Sequence, residues 1–436
     1  MIHTLRKSLR GRRVAVVHNR LAAVAGAVAL GLAAIAFARI GEAAQKTFLH
    51  LVAIAPYAPF IVTPLVFAGV VHVTRHSFPA ARGSGIPQVM AAAHNAERHA
   101  HGPLVSLRTA WAKLAGTIAI LLAGGSVGRE GPTVQISAAL MLAVHRWLRV
   151  PVSSGIIIAG GAAGVAAAFN TPLAGVAFAI EELAAAFEQK VAVMVMLTVM
   201  IAGLVSLGLA GDYVYFGAMG GSLPLRTMLI VSPIAGVLGG ILGGGFSRGL
   251  IAMTGPAHHG PGHRQLKIIK SHPVMVAALC GFVVALTGWA TNGLSWGTGY
   301  ETTRLLLAGH AASLSFGPAK FISTMASALS GAPGGIFAPS LSVGAGLGQV
   351  IALLFPHSPA GAVVLLGMVG YFTGVVRAPM TSVIIMMEMT ADRTMILPLF
   401  ATALIADAVS AQICRHKLYH ALARPFQGSE PAPDPN

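Results

Sequence analysis

Residues 112–141, AKLAGTIAILLAGGSVGREGPTVQISAALM, lie without a gap over residues 319–348, AKFISTMASALSGAPGGIFAPSLSVGAGLG. This register pairs Lys113 with Lys320, Gly128 with Gly335 and Pro132 with Pro339, each 207 residues apart. Carried onward, it pairs Gly160 with Gly367, Pro172 with Pro379, Val176 with Val383 and Glu181 with Glu388. Few positions are identical, but they include the punctuating glycine, proline and acidic sites. Upstream, GSGIP at 83–87 answers loosely to GTGY at 297–300, at an offset of 214. The duplication predicts two repeated halves, 21–211 and 227–424, with a linker at 212–226, an arm at 1–20 and a tail at 425–436. The sequence leaves open whether the halves run parallel or inverted.

The composition sets the solvent. With 55% hydrophobic and 10% charged residues, and a mean hydropathy of +0.75, the chain is too apolar for a soluble domain. Apolar stretches near the roughly 20 residues that a bilayer requires recur at 21–38, 51–71, 191–211, 227–246, 274–290 and 394–414. One signal peptide cannot explain that many, so the first stretch is read as a retained span. The net charge of +16 sits in the arm and in short polar segments, the pattern of cytoplasmic loops. Both termini are therefore expected inside a plasma membrane, with no nucleic acid as partner. Cys280 and Cys414 do not suggest a disulfide framework.

Within the repeats the apolar runs are short and broken by glycine and proline. In lipid, such breaks would leave backbone groups unpaired at several kcal/mol each, so they belong where protein lines a polar cavity. The principal ones are Gly83 to Pro87, Gly128 to Pro132 and Gly334 to Pro339. Each is followed by an apolar run, which predicts a helix starting in mid-protein with Pro in its first turn. Free amides and the positive end of the helix dipole bind an anion without a full positive charge that would hold it too tightly for turnover. The plainer reading is small residues packing helices closely; three breaks in corresponding halves favour the anion site.

Glu130 is the acidic residue inside these breaks. A carboxylate beside an anion site is either ionised in the anion's place or neutral with the anion present, which makes it a proton-sensitive gate; the alternative is a simple helix cap. Arg129 either raises local anion concentration or snorkels outward. Glu181 and Glu182 close an apolar run and, as helix neighbours about 100° apart, are expected in different environments, with a solvated pair as the alternative. Lys113 reads as a buried counter-charge or a packing residue. Asp407 is read as structural, pairing with Arg415, and Glu388 likewise as structural. His258, His259 and His263 lack Cys or carboxylate partners, so no metal is expected. GREGP lacks the Lys and Ser/Thr of a nucleotide loop.

GSGIP at 83–87, GREGP at 128–132, GGIFAP at 334–339 and Tyr419 in KLYHAL together resemble the four signature segments of the CLC chloride channels and proton-coupled chloride exchangers. GGAAGVAAAFNTPLAGVAFAIEEL at 160–183 and RAPMTSVIIMMEMT at 377–390 are similar too. The resemblance implies an all-α membrane fold of two inverted halves of short, tilted, broken helices, and a homodimer with a pore in each subunit. It assigns chloride contacts to the Ser84 and Tyr419 hydroxyls and the Ile336 and Phe337 amides, with Gly83, Gly85, Pro87, Gly128, Gly131, Pro132, Gly335 and Pro339 shaping the site. It makes Glu130 the external gate and proton carrier and Glu182 the internal proton relay, a residue that channels usually lack.

The resemblance thus implies exchange of chloride for protons with no cofactor. A passive channel of the same fold is the first rival, and a membrane-embedded enzyme using Glu181 and Glu182 as acid and base is a remote one, lacking a nucleophile or metal cluster. Departures matter too. Gln88 and Met90 stand where many exchangers carry acidic residues. About 22 residues follow Cys414, so the paired cytosolic regulatory domains of many relatives are not expected. Ser84 matches the chloride type, where nitrate-preferring relatives carry Pro, and fluoride is disfavoured.

Overall fold

The computed structural model describes residues 2–99, 102–183, 189–211, 214–218, 223–254 and 271–427. The first half contains α1 (Ile2–Ile54), α2 (Pro59–Ser77), α3 (Ile86–His94), α4 (Ala96–His99), α5 (Leu107–Leu122), α6 (Glu130–Trp147), α7 (Ser154–Phe169), α8 (Pro172–Phe178) and α9 (Gln189–Ala210). The second contains α10 (Leu225–Thr254), α11 (Pro273–Ala290), α12 (Tyr300–Leu307), α13 (Phe316–Leu329), α14 (Phe337–Ala352), α15 (Ala360–Val376), α16 (Pro379–Thr390) and α17 (Ile396–Ile413), followed by α18 (Leu418–Gln427). No strand occurs among the described residues.

Six of these helices are long and apolar enough to cross a membrane. Two boundaries differ from the sequence reading. The run that began at 51 belongs in part to α1, which continues through Arg39, Glu42 and Lys46 to Ile54 before Pro56 intervenes. Those polar residues recur at helical spacing and line one cavity, so they interrupt the hydropathy but not the helix. The run 227–246 likewise extends through a polar turn to Thr254.

The offset of 207 seen in the sequence reappears in the helix starts: Glu130 and Phe337, Pro172 and Pro379. Asn170 and Arg377, again 207 apart, end α7 and α15 in the left-handed conformation, with φ of 57° and 59°. The repeat mates also touch. Gly128 and Gly335 exchange two backbone hydrogen bonds, of 2.7 and 2.8 Å, in an antiparallel bridge, as expected where a two-fold axis passes between equivalent residues. Two further pairs are exchanged about the same axis. The Glu181 carboxylate accepts from the Met380 and Thr381 amides at 3.1 and 2.7 Å, and that of Glu388 from Leu173 and Ala174 at 3.1 and 2.7 Å. Each glutamate thus caps the Pro-initiated helix of the other half, where the free amides and dipole favour an anion.

The core is centred on α7 and α15, buried on every side from Gly155 to Phe169 and from Gly361 to Val376. At 16 and 17 residues they reach only about 25 Å, too short for a ~30 Å bilayer core, and they are covered by protein rather than lipid. Gly239 and Gly243 of α10 lie directly on the backbone of α15 at Gly370 and Gly374, so a methyl group at either would overlap it. Such close packing leaves the shorter, broken helices free to aim their ends at the middle of the molecule. The fold is therefore all-helical and built of two repeated, inverted halves.

Candidate functional site

Three helix starts meet at the pseudo-symmetry axis: α3 after Gly85, α6 at Glu130 and α14 at Phe337. The loop before α3 turns through Gly83 and Gly85, at φ of 63° and 106°, values that glycine adopts without strain. A Cβ at Gly85 would also stand 2.9 Å from the Gly131 carbonyl oxygen. The loop is pinned from behind by Lys113, whose buried ammonium donates to the carbonyls of Gly83 at 2.7 Å and Arg82 at 3.2 Å. No carboxylate pairs with it among the described residues, so it is a carbonyl clamp rather than the counter-charge expected. Lys320, its repeat mate, holds the carbonyls of Gly297 and Ser295 at 2.5 and 3.1 Å, confirming the loose match of GSGIP to GTGY. Gln88 donates to the Ala80 and Arg82 carbonyls, at 3.2 and 2.6 Å, a neutral brace on the same loop.

Ser84 is thereby fixed with its hydroxyl against the first turn of α6, where a Cβ on Gly131 would strike Ser84 Oγ. Tyr419 enters from α18, fully buried, its ring 5.9 Å from that of Phe337. Phe337 is held in turn by Phe372, Phe178 and Phe169 at 4.9, 6.0 and 6.2 Å. Ile336 and Phe337 are the N-cap and first residue of α14, where amides have no intrahelical acceptor. Among the described residues, no well-formed hydrogen bond satisfies the buried Ser84 Oγ, Tyr419 Oη or either Glu130 carboxylate oxygen, although the Ser84 and Tyr419 hydroxyls face each other. Glu130 folds back over Gly128, whose Cβ would overlap Glu130 Oε2, and faces the Ala338 amide at the start of α14. Buried polar groups are rarely left unpaired, so a cluster of them marks a place meant for something else.

Two cavities approach this cluster. One of about 340 Å³ is lined by Ser84, Ile336 and Tyr419 together with Arg75, Arg82 and Phe426. Another of about 540 Å³ is lined by Arg129 with Arg39, Glu42, Lys46, Tyr300 and Glu301. Glu130 stands in the chain between Arg129, in the wall of the second, and Gly131, against the Ser84 that lines the first. Arg129 does not snorkel; it is 9% exposed and paired with Glu42 at 3.0 Å, a partner the sequence reading missed.

Glu181 and Glu182 separate as expected, across a π-helical turn at Ala179–Leu183. Glu181 is the helix cap already described, whereas Glu182 is buried, its two oxygens 3.8 Å from Lys417 Nζ and 3.8 Å from His420 Nδ1. The sequence reading named neither partner, although both flank Tyr419, Lys417 immediately before α18 and His420 in its first turn. Asp407 pairs with Arg377, at 2.9 Å, not with Arg415. Arg415 lies beyond the end of α17, past Cys414 in an extended conformation, while Arg377 at the left-handed end of α15 also reaches the Cys414 and Arg415 carbonyls, at 3.2 and 3.1 Å. His258, His259 and His263 lie outside the described residues.

Residues 66–411 match the family model described as voltage gated chloride channel. The H(+)/Cl(-) exchange transporter ClcA of Yersinia pestis bv. Antiqua (strain Angola) is 31% identical over 468 residues, covering 97% of this chain and 92% of that protein. Among solved structures, a slow cyanobacterial Cl-/H+ antiporter superposes with a TM-score of 0.80 at 23% identity, over 95% of this chain and 99% of that one. A CLC-type fluoride/proton antiporter gives 0.76 at 21% identity, over 93% and 98%. At those identities the two structures speak to the fold.

Proposed function

The chain belongs to the voltage gated chloride channel family, and from that premise we propose that it is a secondary active transporter exchanging chloride for protons through a pore within each subunit. One observation carries the assignment of the site: among the described residues, the buried hydroxyls of Ser84 and Tyr419 and the buried carboxylate of Glu130, none satisfied by a well-formed hydrogen bond, meet at the amide-bearing start of α14. Neutral donors solvate an anion without trapping it. The Ser84 and Tyr419 hydroxyls and the Ile336 and Phe337 amides form the chloride shell.

Glu130 competes for the same region. Two like charges about 4 Å apart repel by about 4 kcal/mol at an effective dielectric near 20, so chloride and an ionised Glu130 exclude one another. Protonation removes the repulsion, the side chain yields, and its proton moves against the chloride that replaces it. Glu182 supplies and withdraws protons on the other side. Its presence supports exchange over passive conduction. Arg129 neutralises part of Glu42 in the second cavity and sets the field beside the gate.

We further assign the protein to the plasma membrane with both termini cytoplasmic, supported by the basic residues at its ends, and to a homodimer with no cofactor. The deciding experiment is the reversal potential of purified protein in liposomes under crossed chloride and pH gradients. Exchange displaces it from the chloride equilibrium toward a value set by both gradients; a value pinned to chloride alone would make the protein a channel.

A further inference from the structure

The Glu182 side chain has no exposed surface, and among the described residues neither carboxylate oxygen has a partner within hydrogen-bond distance. A proton from the cytoplasm therefore has to reach it through a neighbour. Among the described residues, five charged or titratable groups face it: Glu181, Arg377, Lys417, Tyr419 and His420; the Tyr419 phenol is fully buried and offers no route to solvent. Glu181 is engaged by the Met380 and Thr381 amides, and Arg377 by Asp407 and two carbonyls. A guanidinium or an ammonium stays protonated near neutral pH and does not cycle; an imidazole does. The side chain of His420 is 53% exposed, with Nδ1 3.8 Å from Glu182 Oε2. It joins solvent to the buried carboxylate.

We infer that His420 is the proton-handling residue that connects Glu182 to cytoplasmic water. This rests on the assignment of Glu182 as the internal relay. The imidazolium gives its Nδ1 proton to the Glu182 carboxylate, which becomes neutral, and the resulting imidazole regains a proton from water; the reverse sequence discharges Glu182. The gap of 3.8 Å is closed by a small side-chain movement or by one bridging water. Lys417, just before α18, and Arg424, within it, are the cations beside His420, and together with its partial burial they hold its imidazole below the ordinary range, burial being the larger cause. The ring is thus mostly neutral at neutral pH and a ready donor once protonated. Lys417, 3.8 Å from the other oxygen, steadies the ionised carboxylate between transfers.

The test is His420→Gln in the full chain, reconstituted in liposomes, with chloride-driven proton flux measured as the pH on each side is varied from about pH 5 to about pH 8. Proton flux should fall about tenfold where protons are scarce on the cytoplasmic side, the scale of a lost acid–base group, and recover as that side is acidified or imidazole is added. Chloride flux in a Glu130→Gln background should be the same with and without His420→Gln. Wild-type proton flux at every pH would overturn the inference. So would an equal loss of chloride flux in the Glu130→Gln background, which would make His420 structural. Undiminished proton coupling in Glu182→Gln would instead overturn the assignment of Glu182.

Discussion

Adjacent glutamates with separate duties offer the sharpest test of the site. Glu181 holds the start of α16 through two amides, at 3.1 and 2.7 Å, and touches neither Ser84 nor Tyr419. Hydrogen bonds to an ionised acceptor contribute about 1.5–3 kcal/mol each, and a carboxylate at a helix N-terminus adds about 0.3–1 kcal/mol more. Glu181→Gln keeps one carbonyl oxygen but turns an NH2 group toward an amide N–H, so it loses one of the two bonds and the charge. The expected cost is about 2–3 kcal/mol, and about 4–5 kcal/mol for Glu181→Ala, which loses both. In detergent, Glu181→Gln should lower the temperature of irreversible thermal inactivation by several degrees, with a larger fall for the alanine. Protons moved per chloride by the folded fraction should match the wild type. Glu182→Gln should do the opposite, abolishing proton coupling while anion flux remains dependent on external pH. Loss of coupling in Glu181→Gln with unchanged stability would refute the division of labour.

Glu130→Gln should stop proton movement, leave chloride flux intact and flatten its dependence on external pH, because protonation of Glu130 removes the competing charge and wild-type flux is expected to rise as external pH falls; ion-selective electrodes read both fluxes. Gly131→Ala should weaken chloride binding at least about tenfold, about 1.4 kcal/mol, since its methyl displaces the Ser84 hydroxyl; calorimetry would show the change, and unaltered affinity would remove Ser84 from the shell. Tyr419→Ala should weaken chloride binding and lower protons moved per chloride, whereas Tyr419→Phe, losing one neutral hydrogen bond, should cost only about 1 kcal/mol. Ser84→Pro should shift competing fluxes several-fold from chloride toward nitrate, as the hydroxyl donor is lost.

Much of this was legible from residues alone because the signals are local. Glycines that tolerate left-handed turns, prolines at helix starts and the spacing of 207 between Gly128 and Gly335 are properties of short segments, so the broken helices, the duplication and the place of Glu130 could be read directly. The resemblance of the same segments to known signatures added Ser84 and Tyr419. Partnerships between distant segments were a different matter. Nothing near Lys113 indicates that its ammonium ends on the carbonyls of Gly83 and Arg82 rather than on a carboxylate, and nothing near Arg129 points to Glu42. The same holds for Arg377 with Asp407, and for Glu182 with Lys417 and His420. Backbone conformation answers to a residue and its immediate neighbours, whereas the partner of a buried charge depends on which helices cross beside it, and that is settled only when the two halves close around their common axis.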